Sequence, residues 1–390
     1  MLQNRHFFVI FAQIFVLNQF EMKLLLFNPE HEIALAMAGK IQTLPQLVRK
    51  FVEDLSFLPV FWAQQGDAVL VHDVDVAVRQ AAQLGIDSQK VEWLTERDLG
   101  RNEVAQAVSG IEVWGWNAAV CRRLGKINRL LSGMLPSRSA LERVRQLSHR
   151  RQSMQLLEML READVVDKGA RVGDSAFCQT LQQVENTIGK WGSVVLKAPW
   201  SSSGRGVRRV DGRLSDAQAD WCKGILHRQG GMMVEPWYDR MMDFGMEFRM
   251  VNERVEYLGL SCFATAQTAY SGNWIASEVE KQDFLTHYVA GDLLQQIRQQ
   301  IMSWMPLFYA GYEGLFGVDM MIVHSDEAQK YVLHPCVEVN LRRTMGHVAL
   351  DAWRFKHLQG HLFTICRNTD GFYVHVTSEN PLSDLPYRKK

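Results

Sequence analysis

The chain has 390 residues, and its 43 Lys and Arg are balanced by 43 Asp and Glu. That length suits two or three domains around separate cores, and the zero net charge excludes a broadly basic nucleic-acid or membrane surface. The cysteines (Cys121, Cys178, Cys222, Cys262, Cys336 and Cys366) show no C-x-x-C spacing, which argues against a zinc ribbon or a disulfide framework and for reduced, cytoplasmic thiols. At the N-terminus, Phe7 to Leu17 is an apolar run of about eleven residues after Arg5, too short to span a bilayer. No small-x-small cleavage site follows it. Met22-Lys23-Leu24-Leu25-Leu26-Phe27 reads as the first core strand, so Met22 is the expected biological start and residues 1–21 an upstream over-extension of the reading frame.

From Met22 to about Arg145, short apolar strands (Leu24 to Phe27, Ala68 to Val71, Ile111 to Trp114) alternate with helical patterns. This order predicts βα units and a mainly parallel, Rossmann-like sheet, hence an α/β fold class. Ligands of open α/β sheets bind beyond the carboxyl ends of the strands. Two polar turns fall there, Asn28-Pro29-Glu30-His31-Glu32 and Trp114-Gly115-Trp116-Asn117, and neither carries the G-x-G-x-x-G dinucleotide fingerprint. Either Glu30, His31, Trp116 and Asn117 contact a substrate, or these residues make turns, cap helices and pack. Ser148 is placed to cap a helix from Gln152 to Ala163.

Next, Val194-Val195-Leu196-Lys197 is an apolar run that fixes a lysine ammonium before Ala198-Pro199-Trp200-Ser201-Ser202-Ser203-Gly204-Arg205-Gly206, a loop whose small residues let backbone N–H groups approach an anion. The pattern points to phosphate. Ser261 to Ser277, with Tyr270-Ser271-Gly272-Asn273-Trp274, is expected to be a loop, either a lid or an exposed connection, before a helix over Leu293 to Met305. Gly314 to Val323 is an apolar strand with one carboxylate, Asp319, which needs a partner there. In Val337-Glu338-Val339-Asn340-Leu341-Arg342, period-2 geometry puts Glu338, Asn340 and Arg342 on one face. Oxygen ligands with a guanidinium suit Mg²⁺ bridging phosphates, Mn²⁺ being an acceptable substitute; a solvated face with a Glu338 to Arg342 ion pair is the alternative for Glu338 alone. Arg249 and Arg343 are further cations for an acidic substrate or the transferred phosphate, Arg343 the better placed. His357 and His361, four apart on an expected helix, read as a solvated face, and Phe372 to Val376 alternates without functional signal.

The two clusters, in this order, resemble the ATP-grasp superfamily of ATP-dependent ligases, on Lys197, Ser201 to Gly206, Asp319, Glu338, Asn340 and Arg342 over roughly residues 140–350. The resemblance implies a Rossmann-like domain over 22–145, ATP-grasp subdomains over 146–236 and 237–360, and a C-terminal tail over 361–390. It implies that Lys197, Ser202, Ser203, Gly204 and Gly206 cover the phosphates of ATP. Asp319, Glu338 and Asn340 would hold Mg²⁺, and Arg342 would stabilise the moving phosphoryl group. Met232-Met233-Val234-Glu235-Pro236-Trp237-Tyr238 resembles the interdomain hinge, with Glu235 and Trp237 offering backbone groups to adenine and Asp243 holding the ribose, a role for which Glu247 competes. The family's early phosphate-binding lysine has no match; Arg150 or Arg151 stands nearest. The implied activity is activation of a small-molecule carboxylate as an acyl phosphate for attack by a nucleophilic acceptor, with Asn273 and Arg343 as further substrate residues. A kinase acting on a hydroxyl and a non-catalytic nucleotide binder are the alternatives; no nucleic-acid or membrane partner is implied, and a homodimer is compatible with these features.

Overall fold

Four short parallel strands open the fold of the computed structural model, which describes residues 22–38, 43–163, 169–201, 206–266, 269–325 and 330–377. Strands β1 (Met22–Leu26), β2 (Ala68–Leu70), β3 (Glu92–Leu94) and β4 (Val108–Val113) lie in the order β3-β2-β1-β4. Leu24, Leu25 and Leu26 are all buried, as expected of a strand covered on both faces. Leu24 and Leu26 pack with Val120, Leu124 and Leu131, whereas Leu25 and Phe27 join Phe57, Phe61 and Phe363 in a core shared with the large sheet. Helices α1 (His31–Ala36) and α2 (Ala118–Ile127) follow β1 and β4 at their carboxyl ends. The three-residue β3 carries too little periodicity to be read from sequence.

Helices α3 (Arg138–Leu147) and α4 (Arg150–Glu162) lead out of this domain. Ser148 does not cap α4. Its Oγ donates to the Val144 carbonyl at the end of α3, and His149 caps α4 by accepting from the Arg151 N–H. A small antiparallel sheet follows, with β5 (Ala176–Cys178), β6 (Ser193–Lys197), β7 (Val207–Asp211) and β8 (Met232–Pro236) in the order β5-β8-β6-β7. Helices α5 (Leu181–Trp191) and α6 (Asp216–Gln229) cover one face, burying Val194 and Leu196 against Val184, Ile188 and Ile225. Strand alternation therefore sends Val195 and Lys197 to the opposite face.

The third unit is a seven-stranded antiparallel sheet of β9 (Arg240–Val251), β10 (Arg254–Ala266), β11 (Ala269–Trp274), β12 (Gly314–Ser325), β13 (Lys330–Asn340), β14 (Leu362–Arg367) and β15 (Phe372–Thr377), ordered β13-β12-β9-β10-β11-β14-β15. Phe244, Met246, Phe248, Phe316, Val318 and Met320 face a core with α4, α7 (Glu278–Thr286) and α8 (Gly291–Phe308). Asp243, Glu247 and Asp319 consequently face the other way. Helix α9 (Met345–Ala352) follows β13.

The α/β class and the parallel sheet at the start of the fold stand as expected, with three corrections. Residues 261–266 and 269–274 form interior strands of the large sheet, not a lid loop, because β10 pairs with both β9 and β11. Residues 362–377 are not a tail; β14 pairs with β11 and β15 with β14. His357 and His361 do not share a helix: His357 sits in a short 3₁₀ turn with its Nε2 2.7 Å from the Leu84 carbonyl, and His361 precedes β14.

Candidate functional site

A cavity of about 360 Å³ lies between the small and large sheets, with the parallel domain contributing Phe27, Pro29, Glu32, Phe51 and Trp114 to its lining. From the small sheet, Lys197 ends β6 and donates from Nζ to Glu235 Oε2 at 2.5 Å, with both side chains about a tenth exposed. Val195 and Glu235 are register partners, which is why Glu235 shares the face of Lys197. The Trp237 N–H donates to the Ser193 carbonyl and so is already engaged, while the Arg209 guanidinium lies 4.5 Å over its ring. Ser202, Ser203 and Gly204 lie outside the described residues. Gly206 is held close to Ser201: a Cβ there would come within 2.2 Å of Ser201 Oγ.

Arg150, the first residue of α4, is buried and spans both walls. Nη1 donates to the Ala198 carbonyl and to Ser201 Oγ at 2.6 Å, and Nη2 donates to the Ser201 carbonyl and pairs with Glu338 at 2.8 Å. Arg151 instead stacks 5.2 Å over Phe177. Arg150 is thus the residue of the pair that lines the cavity.

On the large sheet, Asp319 of β12 and Glu338 of β13 are direct cross-strand partners, as are Gly317 and Asn340. Asn340 Nδ2 donates to Asp319 Oδ2 at 2.9 Å, and its Oδ1 accepts from Arg342 Nη2 at 3.0 Å. Burial, joined by repulsion from Glu338 and Glu247, pushes the Asp319 carboxyl up to about 8. Strand β13 ends at Asn340, so Arg342 is not on the strand. A turn closed by the Arg342 N–H on the Asn340 carbonyl brings its guanidinium back, where Nε donates to Glu32 of α1. Burial raises the Glu32 carboxyl, and Arg342 outweighs it, leaving the group below its ordinary range.

Asp243 and Glu247, both on β9, part company here. Glu247 is 2% exposed and takes hydrogen bonds from Ser261 Oγ at 2.8 Å and Thr344 Oγ1 at 2.9 Å, with His347 Nδ1 at 3.0 Å. Burial works against its charge, but His347, Ser261 and Thr344 together hold its carboxyl below the ordinary value. Asp243 pairs with Arg240 at 3.0 Å on the cavity lining.

The other expected substrate residues divide. Asn273 lines the cavity. Glu30, His31, Trp116, Asn117 and Arg343 do not. Asn117 caps α2 by accepting from the Ala119 and Val120 N–H groups and donates toward His31 Nδ1 at 3.2 Å; Trp116 packs on the parallel-domain core. Gly115 lies flat against the His31 ring, where a Cβ would meet it at 2.6 Å. Arg343 is buried over Trp62 at 4.0 Å and pairs with Glu112 and Asp351, each at 2.6 Å, tying the parallel domain to α9. Arg249 is half exposed beside Glu256 and outside the cavity lining. Glu32, Arg240 and His334 line the cavity and were given no role in sequence. Glu32 stands in a quoted turn, but its partner Arg342 is 310 residues away. His334, on β13 beside the Tyr238 ring, is pushed down to about 3 by burial and by Lys197, and nothing local marks it.

Among the described lining residues, the cations Arg150, Lys197, Arg240 and Arg342 face the carboxylates Glu32, Glu235, Asp243, Glu247, Asp319 and Glu338. Each cation is paired with a carboxylate, Arg150 with Glu338, Lys197 with Glu235, Arg240 with Asp243 and Arg342 with Glu32, which leaves Glu247 among its own donors and Asp319 without a cation beside its cross-strand partner Glu338, a pair that a divalent cation would neutralise. No three His, Cys, Asp or Glu side chains among the described residues cluster as metal ligands, so two carboxylates and the Asn340 amide are the available set.

No family model and no curated protein matches the sequence. Solved structures similar to it include an N5-carboxyaminoimidazole synthetase from Staphylococcus aureus complexed with ADP (12% identity, 84% of this chain and 72% of that one, TM-score 0.43). A biotin carboxylase–β,γ-ATP complex from Campylobacter jejuni matches at 13% identity over 84% of this chain and 67% of that one, TM-score 0.45. The D-alanyl-alanine synthetase A of Vibrio cholerae matches at 12% identity over 82% and 88%, TM-score 0.41.

Proposed function

We propose that the chain is an ATP-grasp ligase that activates a small-molecule carboxylate as an acyl phosphate and joins it to an amine, releasing ADP and phosphate. The observation that carries this reading is the meeting, in one cavity, of Lys197, Arg150 and Ser201 from the small-sheet side with Asp319, Glu338, Asn340 and Arg342 from the large sheet. Cations suited to phosphate oxygens face hard oxygen ligands suited to Mg²⁺. Bound MgATP supplies the phosphoryl group. Lys197 and Arg150 hold phosphate oxygens, exchanging Glu235 and Glu338 for them, and Asp319, Glu338 and Asn340 ligate the metal. Arg342, steadied by Glu32 and Asn340, balances charge on the phosphoryl group in flight. Asp243 holds the ribose, since Glu247 is enclosed by its own donors. Catalysis on this reading is positioning and charge neutralisation.

All six cysteines are free, and no described helix is long and apolar enough to cross a membrane; ATP use adds to the cytoplasmic reading. The test is incubation with MgATP, pooled small carboxylates and hydroxylamine, scored by mass spectrometry. Hydroxamate equal to the ADP formed is expected. ADP with a phosphorylated alcohol would make the protein a kinase, and the absence of both ADP formation and Mg²⁺-dependent ATP binding would sink both enzyme readings.

A further inference from the structure

A second opening lies in the parallel domain, outside the cavity between the sheets. It is a cleft of about 620 Å³, joined through Glu30, Glu96, Arg97 and Arg123 to a recess of about 510 Å³. Helix α1 serves both regions: Glu32 lines the cavity between the sheets, whereas Glu30, Ile33, Ala34 and Met37, spaced as one helix face, line the cleft. The facing wall is α2, with Ala119, Arg122, Arg123, Lys126 and Ile127. Leu26 at the end of β1, Val71 after β2 and Thr95 after β3 line the recess. The strand order reverses between β1 and β4, the strands that lead into α1 and α2. Open α/β sheets take ligands at such a reversal, beyond the carboxyl ends of the strands.

The charge of this cleft is opposite to that of the cavity between the sheets. Arg49, Arg97, Arg122, Arg123 and Lys126 line cleft and recess against Glu30, Glu53 and Glu96, five cations to three carboxylates. Arg123 pairs with Glu96 at 2.6 Å. Arg97, Arg122 and Lys126 make no ion pair among the described residues, so no carboxylate has to be displaced before an anion binds. Arg122 and Lys126 stand one turn apart on α2, where like charges repel and an anion beside both relieves the repulsion. Two guanidiniums and an ammonium suit the several oxygens of a phosphate better than the two of a carboxylate. Where cleft and recess join, Glu30 Oε2 is buried without a hydrogen-bond partner. Burial pushes the Glu30 carboxyl above its ordinary value, against the pull of Arg123. With or without its proton, the group has an unmet hydrogen bond that a hydroxyl, donor and acceptor at once, completes. Ile33, Met37 and Ile127 offer an apolar floor to the C–H face of a sugar. We propose that the cleft between α1 and α2 is a binding site for a small hydroxylated phosphate monoester of the sugar phosphate kind, its phosphate on Arg97, Arg122 and Lys126 and a hydroxyl on Glu30. The site stands independently of the ligase reading.

The test is calorimetric titration of the full chain with ribose 5-phosphate, ribose and inorganic phosphate, first alone and then with saturating MgADP. Ribose 5-phosphate is expected to bind about tenfold more tightly than inorganic phosphate, with ribose giving no binding heat and MgADP changing the affinity by less than about twofold. Arg122→Gln combined with Lys126→Gln should weaken ribose 5-phosphate about tenfold. Arg129→Gln combined with Lys356→Gln removes the same charge from exposed positions outside the cleft and should change the affinity by less than about twofold. Glu30→Leu should cut the preference over inorganic phosphate to about twofold, since the hydroxyl partner is gone. Equal affinity for the two phosphates, equal losses in the two double variants, or displacement of ribose 5-phosphate by MgADP overturns the proposal. Because ribose 5-phosphate is titrated first without nucleotide, a chain that fails to bind MgADP loses the ligase reading and keeps this site.

Discussion

Arg150 Nη2 and Glu338 Oε1 lie 2.8 Å apart, so the first turn of α4 is clamped to the edge strand of the large sheet by a pair in which both members belong to the candidate site. Metal and phosphate would each take one member. In Arg150→Met the carboxylate loses its counter-charge, and Mn²⁺ added alone is expected to bind about tenfold more tightly, roughly 1.4 kcal/mol. The same variant should bind ADP with Mg²⁺ at least tenfold more weakly, since the phosphate donor is gone. Calorimetry with MnCl₂ and with ADP checks both; parallel changes would show that Arg150 is only structural.

The Asp319 carboxyl, pushed up to about 8, holds a proton at pH 7 that a bound cation must displace. Metal affinity is therefore expected to rise about tenfold per pH unit from 6 to near 8 and then level off. At pH 7, Mn²⁺ titrations in two buffers of different ionisation enthalpy should report release of close to one proton. In Asp319→Asn both the slope and the release should vanish.

Gly346, in the first turn of α9, is a test of the Glu247 network. Alanine would gain about 1 kcal/mol in helix propensity. Its Cβ would lie 1.9 Å from Glu247 Oε1 and 2.6 Å from Ser261 Oγ, which are fixed by Thr344 and His347. Overpacking of this kind costs about 1–3 kcal/mol, and breaking the buried pair would add to it. Clash wins. A urea midpoint for Gly346→Ala at or above that of the parent would show that the network yields.

What could be read from sequence was whatever a single strand encodes. Lys197 on β6, Asp319 on β12, and Glu338 with Asn340 on β13 follow from alternation, and each lines the cavity. Contacts set by chain return could not be read. Arg342 reaches the site through a turn, and Arg343 beside it turns to Glu112 and Asp351. Two adjacent arginines thus take opposite tasks for reasons lying in other elements. Residues 362–377 look like a tail because the strand that joins them to the sheet, β11, lies some ninety residues upstream of its partner β14. Glu247 and Asp243 share a face, and only the donors folded around Glu247 separate them.

His31 is the residue whose burial should be visible in solution. Asn117 Nδ2 donates to its Nδ1, which selects the neutral ring with the proton on Nε2, and burial pushes it down to about 4. The unfolded chain takes up that proton near pH 6.5 and the folded protein does not, so between those values the unfolded state binds more protons and stability rises with pH. The contribution is complete above 6.5 and is lost as pH falls toward 4, amounting to about 3 kcal/mol over the full window and about 2 kcal/mol by pH 5. Glutamine keeps an acceptor for Asn117 and cannot titrate. Urea unfolding at pH 7 and pH 5 should therefore show His31→Gln losing about 2 kcal/mol less than the parent; equal losses would mean that the ring takes up its proton in the folded protein as easily as in water.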